Sequence, residues 1–84
     1  MILSSYPTID LHGMDRDYAS IVVKEFIEVY YKIGKSHLVI IHGVGSGILR
    51  KKIHDDLKRN KKVKKFNLDI FNEGQTLVEL NKKI

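Results

Sequence analysis

The stretch HLVIIHGVGSGILRKK, residues 37–52, passes directly from an apolar strand pattern into a basic helix pattern, and three of the chain's six glycines fall between Gly43 and Gly47. Glycine costs backbone entropy on folding, so such a cluster marks a tight turn or a place where something approaches the backbone closely. HLVII is a continuous apolar run of strand length, as expected of a central strand covered on both faces or shielded by the Met1–Leu3 segment. Beyond the glycines, Leu49, Ile53 and Leu57 recur at i, i+4 and i+8, which predicts a helix beginning around Ser46 or Gly47.

The same logic extends in both directions. Upstream, TIDLHG (8–13) alternates, with Ile9 and Leu11 on one face and Asp10 and His12 on the other, so it reads as a short half-buried strand. Asp15 is placed to cap a helix in which Ala19, Val22, Val23, Phe26, Ile27 and Tyr30 form one apolar stripe, closed near Gly34. Downstream, Phe66, Leu68 and Ile70 and then Thr76, Val78 and Leu80 alternate, with Asn72-Glu73-Gly74 as the expected turn. The order is β-α-β-α-β-β, an α/β chain whose first two strands form a right-handed parallel pair if they share a sheet.

At 84 residues the chain has room for one domain, read as residues 8–84 after a 1–7 segment, and it has no cysteine, which removes disulfides and thiolate metal sites. No basic leader and no run of membrane-spanning length is visible, so a cytoplasmic protein with no membrane partner is expected. The net charge of +5 is lopsided. Residues 1–42 hold four Lys/Arg against five Asp/Glu, and residues 43–84 hold eleven against five. A polyanion partner and a solvated lysine face both fit that footprint.

His12-Gly13 and His42-Gly43 each follow a strand, which puts both at the carboxyl edge of the sheet, where open α/β sheets tend to bind ligands. If the strands are neighbours, about 4.8 Å apart, the two imidazoles are expected to address one ligand, with Asp10 fixing a tautomer. Phosphate suits the loop. Gly43, Gly45 and Gly47 let it approach the backbone, Ser46 offers a hydroxyl or a cap, and the helix N-terminus supplies free N–H groups. Arg50, Lys51 and Lys52 add positive charge. The pattern is neither a Walker loop nor a dinucleotide fingerprint, and a tight turn alone accounts for the glycines equally well.

IDLHG (9–13), HGVGSGILR (42–50) and TLVEL (76–80) together resemble the three signatures of the Smr, or small MutS-related, domain, in order and spacing. Ile9 stands where leucine is usual, and the glycine-rich turn before the last strand is reduced to Gly74. The resemblance implies a two-layer α/β sandwich with a mixed four-stranded sheet and two helices, like the C-terminal domain of bacterial translation initiation factor three. It also implies an endonuclease or nicking module acting on DNA or RNA, in some members at stalled ribosomes. Carried over by position, Asp10, His12 and His42 are the candidate catalytic residues, and Gly43, Gly45, Ser46, Gly47, Arg50, Lys51 and Lys52 the candidate phosphate contacts. Two imidazoles can serve as general acid and base near neutral pH. One well-placed carboxylate disfavours a two-metal site, so no resident cofactor is expected, while a divalent metal stays open. The alternative is a non-catalytic nucleic-acid- or ribosome-binding module using the same edge.

Overall fold

The structure, a computed structural model, describes residues 6–83. The first helix, α1 (Arg16–Lys32), starts where the Asp15 carboxylate accepts hydrogen bonds from the N–H groups of Asp17 and Tyr18, and it ends at Ile33 ahead of Gly34. Ala19, Val23 and Ile27 are its buried stripe. The second, α2 (Ile48–Arg59), buries Ile53 and Leu57. Both helices pack on one face of a sheet made of β1 (Thr8–Asp10), β2 (His37–Ile41), β3 (Val63–Asp69) and β4 (Asn72–Leu80).

The strand order is β1-β2-β4-β3, with β1 parallel to β2 and β4 antiparallel to both its neighbours. Strand alternation decides the core. Ile9, Leu11, Leu38, Ile40, Val78 and Leu80 face the helices and join their apolar stripes in one cluster. On the other face stand Asp10, Ile41, Gln75, Leu77 and Glu79. Val39 of that outer face is also buried, and the expected shielding by Met1–Leu3 lies outside the described residues.

One turn differs from expectation. The β3–β4 hairpin reverses at Ile70-Phe71, not at Asn72–Gly74, and Ile70 leaves the strand. The cause is Asp69, whose carboxylate accepts from the Phe71 N–H at 2.8 Å and closes the chain on itself two residues early. The carboxyl ends of β1, β2 and β3 and the start of β4 therefore share one edge of the sheet.

Candidate functional site

Asp10 and His12, two residues apart, lie on the outer side of the sheet. The His12 Nδ1–H donates to Asp10 Oδ1 at 2.7 Å, and the His12 N–H donates to the same oxygen at 3.1 Å. The hydrogen bond and charge of Asp10 raise the His12 pKa above the ordinary histidine value, while the same hydrogen bonds lower that of Asp10. The imidazole side chain is 71% exposed, and with Nδ1 engaged by Asp10 its open nitrogen is Nε2.

Beside this dyad the chain turns through the glycines. Gly43, Gly45 and Gly47 all have positive φ, at 81°, 31° and 86°. A Cβ on Gly43 would come within 3.3 Å of His12 Cβ, so only glycine lets the dyad stand this close to the loop. Gly47 takes the N-cap position of α2 without a side-chain cap, and the first intrahelical bond is from Lys51 to Gly47. The Ile48 N–H donates to Ser46 Oγ at 3.4 Å, and the N–H groups of Leu49 and Arg50 have no partner within the helix. The first turn of α1 is more fully occupied, with the Asp15 carboxylate accepting from two N–H groups. Arg50 folds back, its Nη2 3.4 Å from where a Gly47 Cβ would be. A depression of about 470 Å³ opens here, lined by Gly13, His42, Gly43, Ser46, Gly47 and Arg50 among others, while Asp10 and His12 stand across Gly43 and are not part of its lining.

His42 is placed differently from expectation. It follows Ile41 on the helix-facing side, is only 4% exposed, and has both ring nitrogens engaged. Nδ1 donates to the Gly43 carbonyl at 2.9 Å, and Nε2 meets Thr76 Oγ1 at 2.8 Å. The two imidazoles therefore do not converge from one side on one ligand, because strand alternation sends residue 12 outward and residue 42 inward. His42 still forms part of the wall of the depression, whereas Lys51 and Lys52 do not line it. Each pairs with a carboxylate one turn on, Asp55 and Asp56, which draws its ammonium along α2 away from the loop.

Three further residues shape the site. The Gly74 carbonyl accepts from the N–H groups of both His42 and Gly43 at 2.9 Å, and a Cβ on Gly74 would press on Asn72 Oδ1 at 3.2 Å and on the Gly43 backbone. Thr76 Oγ1 lies between His42 Nε2 and His54 Nε2, the latter at 2.7 Å. Since the Gly43 carbonyl can only accept, a neutral His42 carries its proton on Nδ1. The Thr76 hydroxyl then donates to His42 and accepts from the His54 Nε2–H. Thr76 had a sequence signal, a hydroxyl in phase with Val78 and Leu80 on the inward face. His54, one residue past Ile53, had none. Its pKa is lowered by burial first, then by the positive surroundings of His42, Arg50 and Lys58, partly offset by Asp55.

In an NMR titration, His12 is expected to titrate above about 6.5 and His54 below it, and Asp10→Asn should bring His12 down while leaving His54 in place. Unchanged His12 behaviour in Asp10→Asn would remove the dyad. The linked stabilities have opposite signs. The contribution of His12 is full below its unfolded pKa and is lost as pH rises through its higher folded value, whereas that of His54 is full above its unfolded pKa and is lost as pH falls toward its lower folded value.

No helix among the described residues is long and apolar enough to cross a membrane, and no three His, Asp or Glu side chains among them are grouped to hold a metal ion. Comparison with known proteins gives a consistent result. The Smr domain matches residues 9–81. The chain is 39% identical over 70 residues to endonuclease MutS2 of Clostridium perfringens, and 43% identical over 68 residues to that of Clostridium tetani. It covers 9% of each relative, which spans 83% and 81% of this chain. Among solved structures, the Smr domain of Thermus thermophilus MutS2 superposes with a TM-score of 0.86 at 32% identity, over 89% of this chain and 98% of that one. YdaL, a stand-alone small MutS-related protein from Escherichia coli, superposes with a TM-score of 0.86 at 22% identity, over 93% and 69%, a likeness of fold. With the two-helix, four-stranded architecture and the HGVGSG loop between β2 and α2, these matches establish that the chain belongs to the Smr domain family.

Proposed function

We propose that the chain is a nucleic-acid endonuclease or nicking module whose chemistry is carried by Asp10 and His12 at the glycine loop. The observation that carries this reading is the dyad itself: an exposed imidazole, its Nδ1 held by a carboxylate, standing across Gly43 from a helix N-terminus where the Leu49 and Arg50 N–H groups have no partner within the helix. A phosphodiester oxygen held by the free N–H groups and Arg50 would sit at the positive end of α2. His12, kept protonated toward neutral pH by Asp10, would give its Nε2 proton to the leaving oxygen as the P–O bond breaks. On RNA the 2′-hydroxyl oxygen is the nucleophile and its proton passes to water. On DNA a water must attack. In this reading His42 is a positioning residue that holds the Gly43 carbonyl, and Gly45, Ser46 and Gly47 admit the phosphate. The similarity to MutS2 endonucleases supports the reaction class.

The burial of His42 favours one second reading, nucleic-acid binding without cleavage, because it leaves a single imidazole at the surface. The experiment is incubation of end-labelled structured RNA and supercoiled plasmid with pure protein, with and without chelator, over a salt series. Cleavage of either substrate supports the endonuclease. Intact substrates together with binding that weakens by about 0.7 log units per log unit of salt for each phosphate contacted on a single strand support the second reading. Binding insensitive to salt would overturn both.

A further inference from the structure

The strongest feature outside the dyad and loop is the tip of the β3–β4 hairpin. Ile70 is 84% exposed and Phe71 92% exposed, two adjacent large apolar side chains presented to water where a turn ordinarily carries polar residues. The tip is firmly built. The buried Asp69 carboxylate accepts from the Phe71 N–H and from the Gln75 side-chain amide, both at 2.8 Å, and Asn72 Oδ1 accepts from the Gly74 N–H at 2.9 Å. Those bonds to the Phe71 N–H and Gln75 hold the Asp69 pKa below the ordinary carboxylate range, so they persist across neutral pH.

The same hairpin is tied to the glycine loop. Gly74, three residues after Phe71, receives the N–H groups of His42 and Gly43 and packs against Gly43. Three residues of extended chain span at most about 10 Å, so the exposed ring is carried at a short, fixed distance from the loop. The dyad, the loop and the tip follow one another along a single sheet edge. Ile70 and Phe71 also border a shallow depression of about 600 Å³ on the outer face, whose floor and sides include Leu77 and Asn67. Asp10 and His12 lie on this same face.

We infer that Phe71, backed by Ile70, is a stacking platform for an unpaired nucleobase close to the phosphate held at the glycine loop, so that the site selects single-stranded or locally unpaired nucleic acid over continuous duplex. The inference rests on the nucleic-acid reading of that loop and narrows its substrate class. An exposed aromatic ring offers its face to any base, whereas bases in a duplex are already stacked on one another. Leu77 gives the base edge an apolar neighbour and Asn67 a donor and an acceptor.

The test measures fluorescence anisotropy of a short unstructured labelled oligonucleotide and of a blunt duplex of the same sequence, with the full chain. Phe71→Ala should bind the single strand about tenfold more weakly and the duplex less than about twofold more weakly, with Phe71→Tyr close to wild type. The salt slope on the single strand should not change, since no phosphate contact is lost. The exposed ring makes no core contact, so the melting temperature should be unaltered. Equal losses on both substrates, or no loss on the single strand, would overturn the proposal. Gly45→Ala separates the two levels. If it weakens binding while Phe71→Ala does not, the phosphate site stands and the platform falls; if wild type binds neither oligonucleotide, the underlying reading falls as well. Sedimentation of the same samples covers the other occupant: a dimer dissolved by Phe71→Ala, with oligonucleotide affinity unchanged, would make the tip a contact between copies and overturn stacking.

Discussion

His12→Ala should lower the single-turnover cleavage rate by about a hundredfold or more while retaining most of the affinity for substrate. The size follows from the usual contribution of a positioned general acid or base, about 10²- to 10⁴-fold. Retention of affinity follows from where binding comes from, since phosphate contacts are distributed over the loop and Arg50 and the imidazole supplies at most one of them. Asp10→Asn refines the test. An amide can turn its NH₂ toward Nδ1 and favour the opposite tautomer, so the rate should fall, and the high-pH limb of the pH–rate profile should move to lower pH as the His12 pKa loses its carboxylate partner. His42→Ala should behave otherwise. Its loss of activity should accompany a fall in melting temperature, because it removes a buried ring with two hydrogen bonds. If His12→Ala cuts at the wild-type rate, His12 is not the catalytic group. If its activity falls only in proportion to its affinity, its role is binding. On RNA, a 2′-deoxy substitution at the scissile nucleotide should stop cutting, and normal cleavage of that substrate would exclude the internal nucleophile.

Thr76→Val should cost about 2 kcal/mol and lower the melting temperature by about 10 °C. Valine matches threonine in shape, so the packing of a fully buried position is preserved and the measurement isolates the hydroxyl. Without it, His42 Nε2 is left buried with no partner and His54 Nε2 loses its acceptor. Burying an unsatisfied polar atom is the costly half of that change, about 1–3 kcal/mol. Thr76→Ser restores the oxygen and should recover most of the loss apart from the missing methyl group. Thermal unfolding followed by circular dichroism near pH 7.5, where His54 is neutral, reads both variants. A valine variant as stable as wild type would mean that the two histidines do not depend on Thr76.

The elements of this fold were legible because each carries its own periodicity. Ala19, Val23 and Ile27 mark a helix face, Leu38–Ile41 a central strand, and Asp15 a cap, and each needs only local sequence to be recognised. The loop was legible for a related reason, since Gly43, Gly45 and Gly47 all occupy backbone conformations that other residues avoid. What local pattern could not supply was the side of the sheet on which each histidine stands. Residue 12 lies two residues past β1 on the outward phase and residue 42 one residue past β2 on the inward phase, and only the β1–β2 register relates the two. The hairpin tip is not legible in the pattern because Ile70 continues the alternation of Phe66 and Leu68, while what ends the strand is a single hydrogen bond from the Phe71 N–H to the Asp69 carboxylate. No local pattern marks His54, whose partner, Thr76, is 22 residues away.

The position of β4 between β2 and β3 has a consequence for biosynthesis. Of the four strands it is the last to be translated, yet it is the only one joined to β3, and it supplies the Gly74 carbonyl and the Thr76 hydroxyl that hold the loop after β2. A nascent chain that has emerged only as far as β3 can pair β1 with β2 and pack its helices, but nothing fixes His42 or Gly43, and β3 has no strand to dock on. The loop beside the dyad is fixed only when the final strand inserts between two strands made before it.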